Sequence, residues 1–79
     1  MKIIYLLKDL ASRTGLSIYT IKYYLKRGLV KEVGRSPDTN FRYFDDYTVK
    51  ALLKIRELRR KKYPLADIKK RLEKEDGLL

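Results

Sequence analysis

The chain has no cysteine and no histidine among its 79 residues. Without cysteine no disulfide can stabilise the fold, and without either residue the usual protein ligands of zinc and haem are missing. The absence of histidine also removes the commonest general base. Carboxylates remain, but none clusters with a nucleophile along the sequence. We therefore expect no catalytic residue, no metal site and no cofactor, and this inventory argues against an enzyme.

A long hydrophobic run is also missing. No segment approaches the ~20 apolar residues that a transmembrane helix needs, so we expect no membrane partner. The apolar residues at the start of the chain are interrupted by Lys8 and Asp9, too early for a signal peptide. With no signal peptide and no cysteine, the sequence favours the cytoplasm.

Acidic residues are scarce relative to basic ones. Twenty lysines and arginines face 10 aspartates and glutamates, which gives a formal net charge of +10. Solubility alone needs a net charge of only about 2–8. A positive field over so small a body predicts a polyanionic partner, with nucleic acid ahead of an anionic membrane. The length predicts one domain, residues 1–79, with a core that buries only about 60% of the unfolded surface.

Helical periodicity first occurs over residues 8–13, with Leu6 and Leu7 expected at the helix entrance. The apolar residues that recur at helical spacing are Leu7, Leu10 and Ala11. We expect this helix to end near Thr14, with Gly15 as its C-terminal cap. The apolar residues 3–5 before it are compatible with a short strand or an extended arm.

A second helix is predicted directly after this glycine. Ser17 is a natural N-cap, and Gly28 ends the helix. Between them Ile21, Tyr24 and Leu25 recur at i, i+3 and i+4, so we expect them to face the core. A helix, a glycine-containing turn and a second helix are the signature of a helix-turn-helix.

Two short segments that suit extended structure follow, at residues 30–33 and 41–44, with turn-forming residues between them. We expect them to pair as a two-stranded antiparallel hairpin, the wing, with its tip at residues 35–40. A period of two places Phe41 and Tyr43 on one face and Arg42 and Phe44 on the other. At least one of these aromatic residues is expected in the core.

Two more helices are predicted after the wing. Asp45 or Asp46 can cap the third, and Pro64 precedes the fourth. The expected buried stripe of the third helix is Val49, Leu52, Ile55 and Leu58, with Leu53 alongside; that of the fourth is Leu65, Ile68 and Leu72. Residues 73–79 are expected to fray. The predicted fold is therefore mainly α, with about four helices and a short two-stranded wing.

The outer face of the second helix is the best candidate for a binding surface. No acid occurs between Leu10 and Lys31, and the helix start adds partial positive charge and free amide groups. The candidate DNA-binding residues here are Ser17, Tyr19, Thr20, Lys22, Tyr23, Lys26 and Arg27. The alternative is a solvated face of lysines over core tyrosines. Helical spacing favours the core for Tyr24, whereas for Lys22 and Tyr23 we favour contact with nucleic acid.

Two further sets of cations are candidates. Arg35 and Arg42 belong to the wing, from which an arginine can reach phosphate or a neighbouring groove. A cross-strand surface pair is the competing interpretation for Arg42. The run 59–62 and the following Tyr63 are a second candidate phosphate clamp, although the same cations would also suit the end of the third helix.

Taken together, these segments resemble the DNA-binding domain of the MerR family of transcriptional regulators, from about Tyr5 to Leu72. Residues 15–25 read Gly-Leu-Ser-Ile-Tyr-Thr-Ile-Lys-Tyr-Tyr-Leu, close to the family's Gly-Val-Ser-x-x-Thr-Leu-Arg-Tyr-Tyr-Glu. The other matching segments are Gly-Leu-Val at 28–30, Arg35, Asn-Phe-Arg-Tyr-Phe at 40–44, Ile-Arg-Glu-Leu-Arg at 55–59 and Tyr-Pro-Leu-Ala-Asp-Ile at 63–68.

The resemblance implies a winged helix-turn-helix whose second helix enters the major groove. It implies DNA contacts by Lys22 and Tyr23, a wing served by Arg35 and Arg42, and a second wing at Lys62 and Tyr63. The chain departs from the family pattern at three positions, with Lys22 for arginine, Leu25 for an acid and Pro64 for serine.

The departures extend to assembly and sensing. The chain ends where members of the family usually continue into a long dimerising helix and an effector domain. The sequence has no heptad repeat that would form such a helix. A homodimer on DNA is possible, but this chain has no dimerisation helix. Without cysteine, metal sensing of the family's mercury or copper type is excluded within this chain.

The function predicted on these grounds is sequence-specific binding of double-stranded DNA in transcription regulation. The main alternative is an excisionase-like recombination directionality factor that binds and bends DNA. A protein–protein adaptor and an anionic-membrane binder are further alternatives. The predicted second helix lacks the broad apolar stripe that membrane insertion requires.

Overall fold

Four α-helices and one two-stranded antiparallel sheet make up the part of the chain that the computed structural model describes, residues 3–74. In chain order they are α1 (Leu7–Thr14), α2 (Ile18–Lys26), β1 (Gly34–Arg35), β2 (Arg42–Tyr43), α3 (Asp46–Arg60) and α4 (Leu65–Lys74). The expected mainly α fold with a small wing is confirmed. Glu73 and Lys74, which we expected in a frayed tail, are the last residues of α4. The rest of that tail, residues 75–79, lies outside the described residues.

The turn between α1 and α2 forms as the sequence predicts. Gly15 adopts the left-handed conformation, with φ at 75°, which glycine tolerates without a steric penalty. Thr14 is buried, and its hydroxyl donates to the Leu10 carbonyl at 2.7 Å and accepts from the Leu16 amide at 3.2 Å. Ser17 then caps α2. These bonds, all within a few residues of one another, define the turn between the two helices.

The remaining helix ends have equally local causes. Gly28 ends α2 with φ at 77°, and the amides of Gly28 and Leu29 donate to the carbonyls of Leu25 and Tyr24. Asp45, rather than Asp46, is the N-cap of α3. Helix α4 begins at Leu65, directly after the proline expected to open it.

The core lies where the four helices meet the base of the wing. Its fully buried side chains include Leu10, Ile21, Phe44, Leu52, Ile55, Ile68 and Leu72. The expected buried stripe of α3 is partly wrong, because Leu53 is 43% exposed and Val49 is only half-buried. Thr48 and Ala51 are buried instead. Thr48 lies one turn before Leu52, and Ala51 directly precedes it, so both belong to the side of α3 that faces the core.

The wing is shorter than predicted and begins later. Gly34 pairs with Tyr43 and Arg35 with Arg42, so Arg35 lies in a strand rather than at the tip. The predicted first strand, residues 30–33, does not form: Val30 is buried in the core, and the Val33 amide donates to the Tyr43 carbonyl at 2.9 Å just before β1. Glycine suits position 34, since a Cβ here would overlap the hydroxyl of Tyr43 and the ring would have to shift.

The base of the wing is fastened to the chain's first described segment. Tyr5 forms a two-way backbone bridge to Phe44, with N···O distances of 2.8 and 2.7 Å. The Tyr5 hydroxyl also donates to Asp46 Oδ1 at 2.8 Å. This hydrogen bond, together with burial, raises the pKa of Tyr5 above its ordinary value. The predicted arm thus acts as a third, one-residue partner of the wing.

Candidate nucleic-acid interface

Helix α2 presents one face to the core and the opposite face to solvent. Ile21 is fully buried and Tyr24 nearly so, which fixes the rotation of the helix about its axis. The residues between and before them therefore point outward. Tyr19 is 82% exposed, and Lys22 and Lys26 are exposed on the same side. The interpretation of Tyr24 as a core residue is confirmed.

Tyr23 occupies the border between the two faces. Its ring lies 6.1 Å from the ring of Tyr24, centroid to centroid, in a tilted arrangement. The Arg27 guanidinium lies 5.9 Å from the Tyr23 centroid on the exposed side. Tyr23 is 43% exposed, so part of the ring packs inward while the rest stays accessible. Its orientation is set by neighbours of its own helix.

The first turn of α2 uses two of the candidate residues for capping. The Ser17 hydroxyl accepts from the Thr20 amide at 3.1 Å and donates to the Thr20 hydroxyl at 2.9 Å. No acidic residue lies in this turn, so the partial positive charge of the helix start is not neutralised within it. The local geometry is therefore that of an anion-attracting helix end.

An open groove of about 1140 Å³ lies between α2 and the wing. The residues that line it are Leu7, Lys22, Leu25, Lys26, Gly28, Val30, Lys31, Glu32, Arg35, Asn40, Phe41 and Arg42. The groove thus brings together two predicted cations of the helix and two of the wing over an apolar floor. Its cationic walls and open shape suit a polyanion.

Sequence reasoning missed two charged residues of this groove. Lys31 is the last residue of the segment without acids, residues 10–31, so the charge pattern of that segment could have indicated it. Glu32 carries no comparable signal. Its Oε2 lies 3.0 Å from Nε of Arg35 and 3.7 Å from Nε of Arg42. The spacing of Glu32 and Arg35 is local, but the contact with Arg42 depends on the register of the wing.

The other two candidates lie in a separate place, the turn between α3 and α4. Lys62 adopts the left-handed conformation, with φ at 68°. It follows the end of α3 in the same way that Gly28 follows the end of α2. The ring of Tyr63 is half-buried beneath the Arg71 guanidinium, 4.5 Å from its centroid, and its carbonyl accepts from Arg59 at 3.0 Å. Neither Lys62 nor Tyr63 lines the groove. The left-handed backbone costs a lysine about 1–2 kcal/mol.

The described residues offer little for other chemistry. Within residues 3–74 no three acidic side chains come together as a metal site would need. No helix in that part of the chain has the length and hydrophobicity of a bilayer span.

The arrangement of α1, turn, α2 and flanking hairpin defines a winged helix-turn-helix protein. Residues 5–75 match the family described as MerR HTH family regulatory protein. Because this match covers nearly the whole chain, the chain belongs to the MerR family.

Relatives agree with this assignment. The HTH-type transcriptional regulator CueR of Bacillus subtilis (strain 168) is 33% identical over 69 residues, which cover 87% of this chain and 47% of that protein. The crystal structure of HiNmlR, a MerR family regulator lacking the sensor domain and bound to promoter DNA, is 32% identical. It superimposes with a TM-score of 0.80 over 90% of this chain and 53% of its own.

A structure with lower sequence identity shares the same fold. A MerR family transcriptional regulator from Bacillus cereus has a TM-score of 0.85 at 18% identity, over 92% of this chain and 54% of that chain. At that identity the likeness concerns the fold alone. The chain spans about half the length of the relatives it matches.

Proposed function

We propose that residues 1–79 act as one DNA-binding domain that recognises a specific duplex sequence in transcription regulation. The observation that carries this proposal is the groove, in which cations from α2 and from the wing converge. The outward face of α2 would enter the major groove, which is wide enough for a helix. The wing would then lie along the neighbouring phosphates.

The roles of the residues follow from their positions. Lys22 lies on the outward face at the middle of α2 and Tyr23 at the border of that face, and from there their side chains would reach base edges. Tyr19, Lys26 and Arg27 would contact the surrounding phosphates. The capping hydroxyls of Ser17 and Thr20 would hold the start of the helix against the duplex.

The wing and the second turn would supply further phosphate contacts. Arg35 and Arg42 project from paired positions of β1 and β2, so one phosphate strand can meet both. Lys62 and Tyr63 would contact the backbone at a second point. The presence of a lysine in a strained left-handed turn supports a role for its side chain, since glycine would fit there at lower cost.

The comparisons favour a regulator over an excisionase-like factor. The curated relative is named a transcriptional regulator, and the HiNmlR structure is of a regulator bound to promoter DNA. We propose that this chain likewise acts on a promoter in the cytoplasm, without a catalytic step. A homodimer on two half-sites would give the affinity that one small domain lacks.

Salt dependence of DNA binding tests the proposal. Six proposed cationic contacts, from Lys22, Lys26, Arg27, Arg35, Arg42 and Lys62, predict a slope of about −5 in a plot of log affinity against log salt, within a range of roughly −4 to −7. The measurement is fluorescence anisotropy with a labelled duplex over a potassium chloride series. Selection from a random duplex pool, followed by footprinting, would identify the site. An affinity that does not change with salt contradicts the proposal.

A further inference from the structure

Glu32 is the one acid among the residues that line the groove, and it lies between the two wing arginines. Both carboxylate oxygens of Glu32 accept from Nε of Arg35, at 3.2 and 3.0 Å. The same Oε2 lies 3.7 Å from Nε of Arg42. Arg35 and Arg42 are directly opposite each other in the sheet, where two like charges repel. The carboxylate offsets that repulsion.

The position of this carboxylate is the one that a phosphate oxygen would take. A guanidinium binds carboxylate and phosphate through the same N–H donors and in similar geometry. While Glu32 engages Nε of Arg35, that donor is not available to DNA. Binding of a phosphate through Nε of Arg35 therefore requires the Glu32 contact to be exchanged or shared, and a phosphate bound through the other guanidinium nitrogens would lie beside the Glu32 charge.

The pairs are accessible enough for such an exchange. The side chains of Glu32, Arg35 and Arg42 are 33%, 43% and 37% exposed. Ion pairs at this exposure are weak, because water screens both partners.

We propose that Glu32 is a specificity-determining residue that competes with DNA phosphate for the two wing arginines. This inference rests on the proposed function. Phosphate contacts supply nearly all of the affinity for random DNA, whereas base contacts separate one sequence from another. By weakening the wing's hold on any phosphate, Glu32 lowers binding to random DNA and leaves discrimination to α2.

The test compares two glutamate variants that change the net charge equally. Glu32→Gln removes the competing charge, while Glu57→Gln removes a charge paired with Lys61 at 3.5 Å, on α3 and outside the groove. Affinities of the full chain for a random-sequence duplex and for its selected site are measured by anisotropy across a salt series. Glu32→Ala serves as a second variant, and thermal unfolding confirms that each variant folds.

Glu32→Gln is expected to bind the random duplex roughly three- to tenfold more tightly than Glu57→Gln, with a steeper salt slope. Its ratio of specific to random affinity should fall, and Glu32→Ala should change in the same direction. Equal or weaker binding than Glu57→Gln overturns the inference, because Glu32 would then only orient the arginines. Loss of salt-dependent binding in the unaltered chain would instead overturn the proposed function, and this inference with it.

Discussion

Helix α2 and the wing contribute cations to the same groove but are held in place by different means. The helix is fixed by buried Ile21 and Tyr24 and by caps at both ends. The wing has two residues in each strand, and its arginines are held by an exposed carboxylate. The outer face of α2 is thus positioned by the hydrophobic core, whereas the wing is joined to the core at its base through Phe44 and its arginines are paired at the surface.

This difference separates stability from binding. Core contacts are worth several kcal/mol each, whereas exposed ion pairs are worth at most about 1 kcal/mol. Changes under α2 should therefore unfold the domain, and changes in the wing should alter binding while the fold persists. Under the proposed function, α2 would contact the bases from a fixed position, and the side chains of the wing would adjust to the phosphates.

The largest effect is expected from Ile21→Ala. Ile21 is fully buried, so its truncation leaves a cavity and should cost about 2–5 kcal/mol in free energy of unfolding. Urea denaturation followed by circular dichroism measures this change. Ile18→Ala is the matched control on the same helix, since Ile18 is 42% exposed, and it should cost under about 0.5 kcal/mol. Equal losses for the two variants would mean that the core does not position α2.

Lys22→Ala and Arg42→Ala test the two surfaces directly. Each should weaken binding to the selected duplex by about 1–3 kcal/mol while the melting temperature stays nearly unchanged, because both side chains lie at the groove rather than in the core. Lys50→Ala, on the exposed side of α3, removes the same charge outside the groove and should have little effect. Full affinity in both groove variants would remove the assigned interface.

Gly34→Ala should destabilise the wing without changing the helices. The new methyl group would displace the ring of Tyr43, and we expect a loss of about 1 kcal/mol in stability, with faster amide exchange in β1 and β2. The matched test is the same change made in a Tyr43→Ala background, where no ring is left to displace. There the added methyl should cost nothing further, and an undiminished loss would refute the overlap as the cause.

Lys62→Gly examines the second turn, where binding and stability should change in opposite directions. Glycine relieves the left-handed strain, so the domain should gain about 0.5–1 kcal/mol. DNA affinity should fall, because a cation is lost. Lys61→Gly is the neighbouring control; its φ of −82° suits lysine, so this variant should lose stability. A destabilised Lys62→Gly would contradict the strain argument.

Tyr5→Phe has the smallest expected effect and concerns the base of the wing. Because the pKa of Tyr5 is raised in the folded state, its stabilising effect is complete below the ordinary tyrosine pKa of about 10 and is lost as the pH rises through the higher folded value. The stability of Tyr5→Phe should therefore fall less steeply between about pH 9 and pH 11. Urea unfolding at each pH measures both slopes, and parallel slopes would contradict the assignment.

The helix-turn-helix could be predicted from sequence because its determinants are local. Gly15, Ser17 and Gly28 each set a helix end by their own backbone or side-chain chemistry. The bounds of the two wing strands could not be predicted as accurately. Val30 is buried in the core rather than paired in the wing, and the local sequence pattern does not distinguish these two outcomes. The pairing of Glu32 with Arg42 depends on that placement in turn.

The sequence by itself determined the helices, their caps, the outward cationic face of α2 and the family. These follow from interactions within a few residues, which periodicity and capping chemistry express directly. Only the tertiary structure decided the register of the wing, the Tyr5 bridge to Phe44 and the carboxylate between the two arginines. The Tyr5 bridge and the contact of Glu32 with Arg42 join residues well separated in the chain, so periodicity and capping patterns do not express them.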